Sequence, residues 1–287
     1  MTRVLVLGSS GMLGSMVESW LRRNPALRVV GTTRDGFDAE AFAAGKPQKQ
    51  ALDAEWILNC IGVIKPFCKD NDAAGVRRAI AVNAMFPHVL AAAANARGAK
   101  VVQIATDCVY SGAKGAYVET DSHDALDVYG KTKSLGEVFD KTLLNVRCSI
   151  IGPERKNKVS LLEWLLGNPD GAELKGFTHH RWNGVTTLQY AKLCEKIVTT
   201  PGLYEKLLAV SHLHHFLPNT TVDKFQLLGL MAEVFGRKFR IQAVSDVGPP
   251  VDRTLATRHA VLAGVYPPGE MRAALVELAD YMKKSWA

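Results

Sequence analysis

The chain of 287 residues is long enough for two domains or for one large domain. Apolar residues make up 47% of it and charged residues 22%, and its 24 glycines and 12 prolines are too few for a collagen-like or disordered chain. The net charge of +7 favours an acidic partner, which leaves nucleic acid, a membrane surface and a phosphorylated small molecule open.

Strands and helices alternate through the first half of the sequence. Residues 3–7 are an almost continuous apolar run that ends in glycine, which is typical of a buried parallel strand. The next segment carries apolar residues at helical spacing, and a β-branched run follows it. This alternation predicts an α/β fold over residues 1–150, in which a Rossmann-like, doubly wound parallel sheet carries helices on both faces. The predicted elements are strands at 3–7, 27–32, 56–61, 101–105 and 144–150 and helices at 12–22, 79–97 and 129–143.

Past Gly152 and Pro153 the pattern changes to short helices separated by loops rich in Gly, Pro, Asn and His. We expect residues 151–287 to form a smaller, mostly helical substrate-binding domain. The part around 185–200 is expected to pack back on the first domain. The predicted helices lie at 160–166, 187–198, 224–235 and 270–282.

Histidines and cysteines do not indicate a metal centre. We interpret the histidines of the second half as loop residues at a substrate cleft or at the surface, because no motif with zinc-ligand spacing supports them. The five cysteines are an odd set without a C-x-x-C pair, which argues against both a disulfide framework and a thiolate metal site. We therefore expect no metal. The histidines in question are His179, His180, His212, His214 and His215.

A glycine-rich loop at residues 8–14 joins the first strand to the first helix with the spacing G-x-x-G-x-x-G. The first glycine permits the tight turn, the second lets the backbone approach a pyrophosphate, and the third lets the helix pack closely on the strand. The helix N-terminus adds N–H donors and the positive end of its dipole. Cofactor binding is therefore expected at Gly8, Ser10, Gly11, Met12, Leu13 and Gly14.

The second strand ends in Thr32-Thr33-Arg34, at the place where an acidic residue would hold the ribose 2′-hydroxyl of NAD. The guanidinium group of Arg34 suits the additional phosphate of NADP. NADP is therefore favoured as the cofactor, while the neighbouring Asp35 keeps NAD open.

Tyr129 and Lys133 lie four residues apart at a predicted helix start, and therefore on one helix face. A tyrosine has a pKa of about 10, and a neighbouring ammonium group lowers it toward the range useful in general acid or base catalysis. Thr106 follows a buried strand, and residues at the carboxyl ends of parallel strands face the ligand crevice. We expect Thr106 to donate a hydrogen bond to a substrate carbonyl and Asp107 to organise the loop.

These motifs resemble the extended short-chain dehydrogenase/reductase superfamily and, within it, the dTDP-4-dehydrorhamnose reductase branch of nucleotide-sugar reductases. The resemblance runs through most of residues 1–150 and thins toward the C-terminus. Its most specific part is Tyr129-Gly130-Lys131-Thr132-Lys133 with Gly136-Glu137, since that branch reads Tyr-Gly-x-Ser/Thr-Lys followed by Gly-Glu. The other matching segments are Gly8/Gly11/Gly14, Asn59-Cys60-Ile61-Gly62, Val82-Asn83-Ala84 and Thr106-Asp107 with Val109.

The resemblance implies that a hydride passes from NADPH to C4 of a nucleotide-linked 4-keto-6-deoxyhexose, in deoxysugar or surface-polysaccharide biosynthesis. Tyr129 would protonate the developing alkoxide, Lys133 would hold the nicotinamide ribose and lower the tyrosine pKa, and Thr106 would orient the keto oxygen. Asp38 and Ala39 resemble part of a segment that contacts adenine. The implied cofactor contacts beyond the glycine loop are Arg34, Asp38, Ala39, Asn59, Cys60, Ile61, Gly62, Tyr129 and Lys133.

On the substrate side, Cys108 stands where relatives that dehydrate sugars carry Glu, which argues against dehydratase activity. Trp182 and Asn183 lie in a segment that departs from the rhamnose reductases, so the nucleotide and the sugar stay open. We expect these two to contact a base or sugar, and Lys224 and Arg253 to meet the diphosphate. The candidate substrate contacts are Thr106, Asp107, Cys108, Trp182, Asn183, Lys224 and Arg253.

Two other functions stay open: a nucleotide-sugar epimerase of the same superfamily, and a non-catalytic NAD(P)-binding regulatory protein. The basic residues are scattered, without the run or the aromatic interleaving of a nucleic-acid groove. No run of 18 consecutive apolar residues predicts a membrane span. We therefore expect a cytoplasmic protein that binds a nucleotide-sugar substrate and neither nucleic acid nor a membrane. A homodimer is compatible with the sequence.

Overall fold

A parallel sheet of six strands lies at the centre of the computed structural model, which describes residues 1–285. The strands are, in chain order, β1 (Thr2–Leu7), β2 (Leu27–Thr32), β3 (Trp56–Asn59), β4 (Lys100–Thr106), β5 (Leu143–Cys148), β6 (Ile150–Ile151), β7 (Glu173–Phe177), β8 (His180–Trp182), β9 (Val185–Thr186), β10 (Leu213–His215), β11 (Val222–Asp223), β12 (Arg240–Val244) and β13 (Val251–Asp252). The α-helices are α1 (Met12–Leu21), α2 (Ala39–Ala43), α3 (Ala73–Ala79), α4 (Phe86–Asn95), α5 (Val128–Leu135), α6 (Leu161–Gly167), α7 (Thr187–Thr199), α8 (Leu203–Val210), α9 (Lys224–Val234), α10 (Val261–Val265) and α11 (Met271–Ser285).

The central strands run in the order β10-β5-β4-β3-β1-β2, and every neighbouring pair is parallel. Successive side chains of a strand point to opposite faces. In β1, Val4 and Val6 accordingly pack into one hydrophobic cluster with residues of α1 and α7, whereas Leu5 and Leu7 pack into another with residues of α4. The expected doubly wound parallel sheet with helices on both faces is confirmed.

In the second half of the chain, α6 to α11 accompany short strand pairings: β6 with β9, β7 with β12, and β8 between β11 and β13. Helix α7 packs against α1 of the first half. The start of α7 is defined by a capping box, in which Thr186 accepts the backbone N–H of Gln189 and the Gln189 side chain accepts that of Thr186. In the described part of the chain, no helix is both long and apolar enough to cross a bilayer.

The helix expected at 79–97 begins earlier and is not uniform. It starts with α3 at Ala73, passes through a π-helical segment at Ile80–Met85 and continues as α4. The π-helical segment carries Asn83, whose amide binds the backbone N–H and C=O of Val63 at 2.8 and 2.9 Å. Asn83 and Val63 lie far apart in the sequence, so helical periodicity could not reveal the local change of helix type.

The helix expected at 129–143 ends at Leu135. The next residue, Gly136, approaches the π-helical segment so closely that a Cβ there would lie 1.8 Å from the carbonyl oxygen of Asn83. The chain then turns toward β5, which begins at Leu143. The expected extension to 143 is therefore wrong, because a close backbone contact ends the helix.

The interpretation of the histidines of the second half as loop residues is wrong for His180, which begins β8, and for two residues further along the chain. His214 and His215 belong to β10, the edge strand that pairs with β5, and their exposed fractions are 1% and 2%. This three-residue strand lacks the apolar alternation that identifies strands in a sequence. Its strand conformation comes from pairing with β5.

Candidate active site

The glycine-rich loop forms an open cradle at the N-terminus of α1. Gly8 has a φ of +80°, which is the left-handed region that favours glycine. A Cβ on Gly14 would lie 2.2 Å from the carbonyl oxygen of Gly8, so the close packing of helix on loop requires a glycine there. Gly11 is exposed and caps α1 without any side-chain hydrogen bond to the first turn. The N–H groups of the first turn of α1 are therefore available to bind an anion. The residues of the glycine-rich loop fit the pyrophosphate of a dinucleotide.

Arg34 lies at the end of β2 beside this cradle, and its side chain is 69% exposed. Its Nε is 3.9 Å from Oδ2 of Asp38, a long ion pair. The other oxygen of Asp38 accepts the N–H groups of Glu40 and Ala41 at the start of α2. Asp38 is therefore the cap of α2, while the Arg34 guanidinium is accessible to a further anion.

The segment after β3 forms the opposite wall of the cradle. Strand β3 ends at Asn59 rather than at residue 61, and Asn59 accepts the N–H of Ile61 at 3.1 Å and donates to Gln103 at 2.9 Å. The Ile61 side chain lies so close to Gly8 that a Cβ there would be 2.9 Å from its Cγ1. Burial raises the pKa of the Cys60 thiol to about 12, so Cys60 is a neutral packing residue.

Thr106 and Tyr129 meet where the end of β4 faces the first turn of α5. Asp127 caps this helix by accepting the N–H of Gly130 at 2.7 Å, and a Cβ on Gly130 would lie 2.5 Å from the carbonyl oxygen of Cys108. This contact places the half-buried Tyr129 beside the Thr106 side chain. Thr106 also accepts the N–H of Cys108 at 3.2 Å.

Lys133 follows Tyr129 by about one helical turn and is 7% exposed. Its Nζ donates a hydrogen bond to the carbonyl oxygen of Ile104 at 3.0 Å. Burial lowers the pKa of Lys133 to about 8, against an opposing effect of Glu137. The structure thus buries the Lys133 amino group against β4, about one helical turn along α5 from the tyrosine.

The prediction that Lys133 lowers the pKa of Tyr129 is wrong for the protein without cofactor and substrate. Burial raises the pKa of Tyr129 above its usual value, and the neighbouring Cys108 acts in the same direction. The neighbouring Thr106 hydroxyl opposes this rise of the Tyr129 pKa. The physical reason is that the loss of hydration of a phenolate outweighs the available polar contacts.

On the substrate side, Asp107 and Cys108 lie near Lys224 and Arg253. Burial lowers the pKa of Lys224, Asp107 and Cys108 oppose that shift, and Arg253 adds to it. Arg253 donates a hydrogen bond from Nε to the carbonyl oxygen of Tyr110 at 2.9 Å. The structure therefore brings these four predicted residues together.

Trp182 and Asn183 have different surroundings from those expected. The Lys224 ammonium lies 5.1 Å from the ring centroid of Trp182, which is only 4% exposed. The Asn183 amide donates to the carbonyl oxygen of Leu255 at 2.8 Å and accepts its N–H at 2.9 Å. Asn183 positions the Leu255 segment instead of presenting a free amide to a ligand.

Sequence reasoning missed Lys65, which lies at the mouth of the site. Its Nζ is 2.7 Å from Oδ2 of Asp127 and 5.9 Å from the ring centroid of Tyr129. The lysine stands in the loop that follows β3, and such loops face the ligand crevice of a parallel sheet. The sequence signal that could have identified Lys65 is its position after strand β3.

The comparisons with known proteins concern the family and the fold of the chain. A dTDP-4-dehydrorhamnose reductase of Streptomyces griseus is 34% identical over 137 residues, which are 47% of this chain and 43% of that protein. The match to this curated relative thus spans less than half of its length. A dTDP-4-dehydrorhamnose reductase structure from Clostridium acetobutylicum has a TM-score of 0.75 at 21% identity, covering 98% of this chain and 99% of the other.

A dTDP-4-dehydrorhamnose reductase structure from Bacillus anthracis, in complex with NADP, also has a TM-score of 0.75. It is 18% identical and covers 99% of this chain and 100% of its own. These structural matches support the fold. The family described as RmlD substrate binding domain matches residues 1–159, and the chain belongs to this family.

Proposed function

We propose that the protein is an NADPH-dependent reductase that acts on a nucleotide-linked 4-keto-6-deoxyhexose. The observation that carries this proposal is the position of Thr106 beside Tyr129, with the buried Lys133 about one helical turn further along α5. The relatives named dTDP-4-dehydrorhamnose reductase, one of them in complex with NADP, support this substrate class and cofactor.

The cofactor would bind along the edge of the sheet at which these residues meet. The amides of the glycine loop would hold the pyrophosphate, Arg34 the 2′-phosphate, and Lys133 the hydroxyl groups of the nicotinamide ribose. Bound NADPH supplies a hydride to the carbonyl carbon of the sugar. The exposed guanidinium of Arg34 is the feature that favours NADPH over NADH.

Tyr129 is suited to the role of proton donor. Because burial raises its pKa above the usual value, the phenol keeps its proton at neutral pH. As the carbonyl carbon gains the hydride, its oxygen gains negative charge and takes the proton from the Tyr129 hydroxyl. The Thr106 hydroxyl and the Lys133 ammonium would stabilise the resulting phenolate.

Lys224 and Arg253 would bind the diphosphate of the nucleotide sugar. Within residues 1–285, neither side chain has a carboxylate at ion-pair distance. Burial already disfavours the charged form of Lys224, so a phosphate group would provide the missing counter-charge. Cys108 lies near Lys224. Burial raises the pKa of the Cys108 thiol to about 12, so the thiol is neutral.

The test is a substrate panel with purified protein. NADPH absorbance should fall when a 4-keto-6-deoxyhexose linked to dTDP, UDP or GDP is added, and Tyr129→Phe should bind NADPH with unchanged affinity but turn over at least about 10²-fold more slowly. Absence of turnover with all three nucleotides would overturn the proposal. Interconversion of sugar epimers without net consumption of NADPH would identify an epimerase instead. Equal biological activity of Tyr129→Phe and wild type would point to a regulatory protein.

A further inference from the structure

We propose that Lys65 is a positioning residue for the reductase site: through Asp127 it holds the first turn of α5, and with it Tyr129, in the place from which the phenol can protonate a substrate. This inference rests on the proposed function and deepens it. Lys65 belongs to a loop at residues 64–72, which we call the Lys65 loop and which lies between β3 and α3.

Two contacts join the Lys65 loop to the start of α5. The Lys65 ammonium donates to Oδ2 of Asp127 at 2.7 Å. Further along the loop, Oδ1 of Asp70 accepts the backbone N–H of Val128 at 2.8 Å. Asp127 and Val128 come directly before Tyr129 in the chain. Both contacts therefore act on the segment that leads into the tyrosine.

Asp127 uses one carboxylate oxygen for the helix and the other for the lysine. Its Oδ1 accepts the backbone N–H of Gly130 at 2.7 Å, while its Oδ2 accepts from Lys65. The bond to Gly130 is the N-cap of α5, and a side-chain oxygen is enough to make it. The helix can thus form without Lys65, and the lysine fixes the orientation of the cap.

The same ammonium group lies against the aromatic ring of Tyr129. Lys65 Nζ is 5.9 Å from the ring centroid, which is within the range of a cation–π contact. Lys65 therefore contacts both the residue that caps α5 and the ring of the proposed proton donor.

The Lys65 loop is itself held by the surrounding structure. Just before it, the backbone N–H and C=O of Val63 bind the Asn83 amide at 2.8 and 2.9 Å. Within it, Cys68 is 3% exposed and packs in a hydrophobic cluster with residues of α4. A Cβ on Gly75 of α3 would lie 2.7 Å from the carbonyl oxygen of Phe67, so α3 packs directly on the loop backbone. A side chain on a segment held in this way can position its partners precisely.

The second turn of α5 is held by other contacts. The Asn83 amide lies 3.3 Å from the hydroxyl oxygen of Thr132, and Lys133 donates to the carbonyl oxygen of Ile104 at 3.0 Å. Loss of the Lys65 ammonium should consequently displace the first turn and leave Lys133 in place. NADPH affinity should then change little, because Lys133 is the residue proposed to hold the ribose.

The ion pair between Lys65 and Asp127 is too exposed to contribute much to stability. The two side chains are 43% and 38% exposed, and such ion pairs add little to the free energy of unfolding. A displaced catalytic group, in contrast, can cost about 10²-fold in rate for a shift of 1 Å. A positioning role therefore predicts a lower kcat at a nearly unchanged melting temperature.

The first experiment compares Lys65→Met with wild type. The kcat for the best substrate of the panel should fall about tenfold, with NADPH affinity and melting temperature nearly unchanged. Lys65→Arg keeps a cation that can reach Asp127 and should restore most of the rate. An unchanged kcat in Lys65→Met would overturn the inference. A higher KM for the sugar at unchanged kcat would also overturn it, because Lys65 would then bind the substrate directly.

Lys69→Met is the matched control, because Lys69 is an exposed lysine of the same loop. Within residues 1–285 its ammonium has no carboxylate at ion-pair distance. This variant should have the kcat of the wild type. An equal fall of kcat in Lys69→Met and Lys65→Met would show a general effect of positive charge and overturn the inference.

A double-mutant cycle tests whether Lys65 acts through Asp127. Asp127→Asn can still accept the Gly130 N–H, but it removes the ionised partner of Lys65. Asp127→Asn should lower kcat by about the same factor as Lys65→Met, and the double variant should be about as active as either single variant. Effects that multiply in the double variant would show that Lys65 acts independently of Asp127 and would overturn the inference.

Amide hydrogen exchange of the protein without ligands separates this inference from the proposed function. In Lys65→Met the backbone amides at residues 128–130 should exchange faster than in wild type and in Lys69→Met. Faster exchange in Lys65→Met, with no turnover of any nucleotide sugar by the wild type, would overturn the reductase proposal alone. Turnover by the wild type with unchanged exchange in Lys65→Met would overturn the role of Lys65 alone.

Discussion

The side chain of Thr106, at the end of β4, lies beside that of Tyr129 in the first turn of α5. The same Thr106 hydroxyl accepts the N–H of Cys108 and lies 3.2 Å from Oδ1 of Asp107. Thr106 thus links the tyrosine to the loop that faces the substrate side. In the structure this hydroxyl donates its proton to Asp107. In a reaction that leaves negative charge on the phenol, it would donate to the phenol oxygen instead.

We expect Thr106→Val to lower the rate of carbonyl reduction about tenfold, since it removes one hydrogen bond to the developing phenolate. NADPH affinity should change little, because Thr106 lies on the substrate side of Tyr129. The measurement is single-turnover oxidation of NADPH with the best substrate of the panel.

Thr106→Ser is the control for this variant, because it keeps the hydroxyl group and loses only a methyl. It should retain most of the wild-type rate. If Thr106→Val and wild type reduce the substrate at the same rate, the Thr106 hydroxyl has no part in the reaction.

Gly14→Ala should damage both the fold and cofactor binding. The added Cβ would lie 2.2 Å from the carbonyl oxygen of Gly8, so α1 must move away from the loop, at a cost of about 1–3 kcal/mol. NADPH affinity should fall together with the melting temperature. Gly229→Ala is the matched control: Gly229 lies inside α9 with no heavy atom within 4 Å of its ideal Cβ, and alanine there should stabilise by about 1 kcal/mol. Equal melting temperatures of Gly14→Ala and wild type would contradict the close-packing interpretation.

The first βαβ unit could be predicted to within one residue, because its signals are local. The apolar run of β1, the glycines and the β-branched run of β2 each lie within a few neighbouring positions. The end of α5 and strand β10 depend instead on distant partners. Gly136 ends the helix against the backbone of Asn83, and Leu213–His215 becomes a strand only beside β5. Such contacts leave no periodic pattern in the sequence.

In the candidate site, too, the features with a local sequence signal could be predicted, and those that depend on distant contacts could not. Thr106, Tyr129 and Lys133 could be named from a strand end and a four-residue helical spacing. The structure places Thr106 beside Tyr129, and it places Lys133 against the carbonyl oxygen of Ile104 in the strand that ends at Thr106. The direction of the Tyr129 pKa could not be foreseen, because the sequence shows a neighbouring lysine but not how deeply the phenol is buried. The contact of Lys65 with Asp127 likewise joins two loops that only the fold brings within 2.7 Å.

Arg34→Ala should shift the cofactor preference toward NADH. The guanidinium is exposed, and within residues 1–285 its one ion pair is the 3.9 Å contact with Asp38. The main interaction lost in Arg34→Ala would therefore be the charge-assisted contact with a 2′-phosphate. After allowance for solvent screening, we expect NADPH to bind about fivefold to tenfold more weakly and NADH to bind as before. Arg22→Ala, which removes an arginine paired with Glu18 at 2.6 Å, should leave both affinities unchanged. An equal loss for both cofactors in Arg34→Ala would show that Arg34 does not read the phosphate.

Mild acid should destabilise the protein through His215. Burial and the Arg147 charge lower the pKa of His215 in the folded state, so the unfolded chain binds the proton first as the pH falls below about 6.5. The unfolded state then carries more bound protons than the folded state. The free energy of unfolding should therefore decrease with falling pH, by at most about 1.4 kcal/mol per pH unit for this one group. His215→Gln cannot take up that proton, so denaturant titrations of this variant should show a shallower loss of stability in the same pH window. A slope identical to that of the wild type would mean that His215 is not buried in its neutral form.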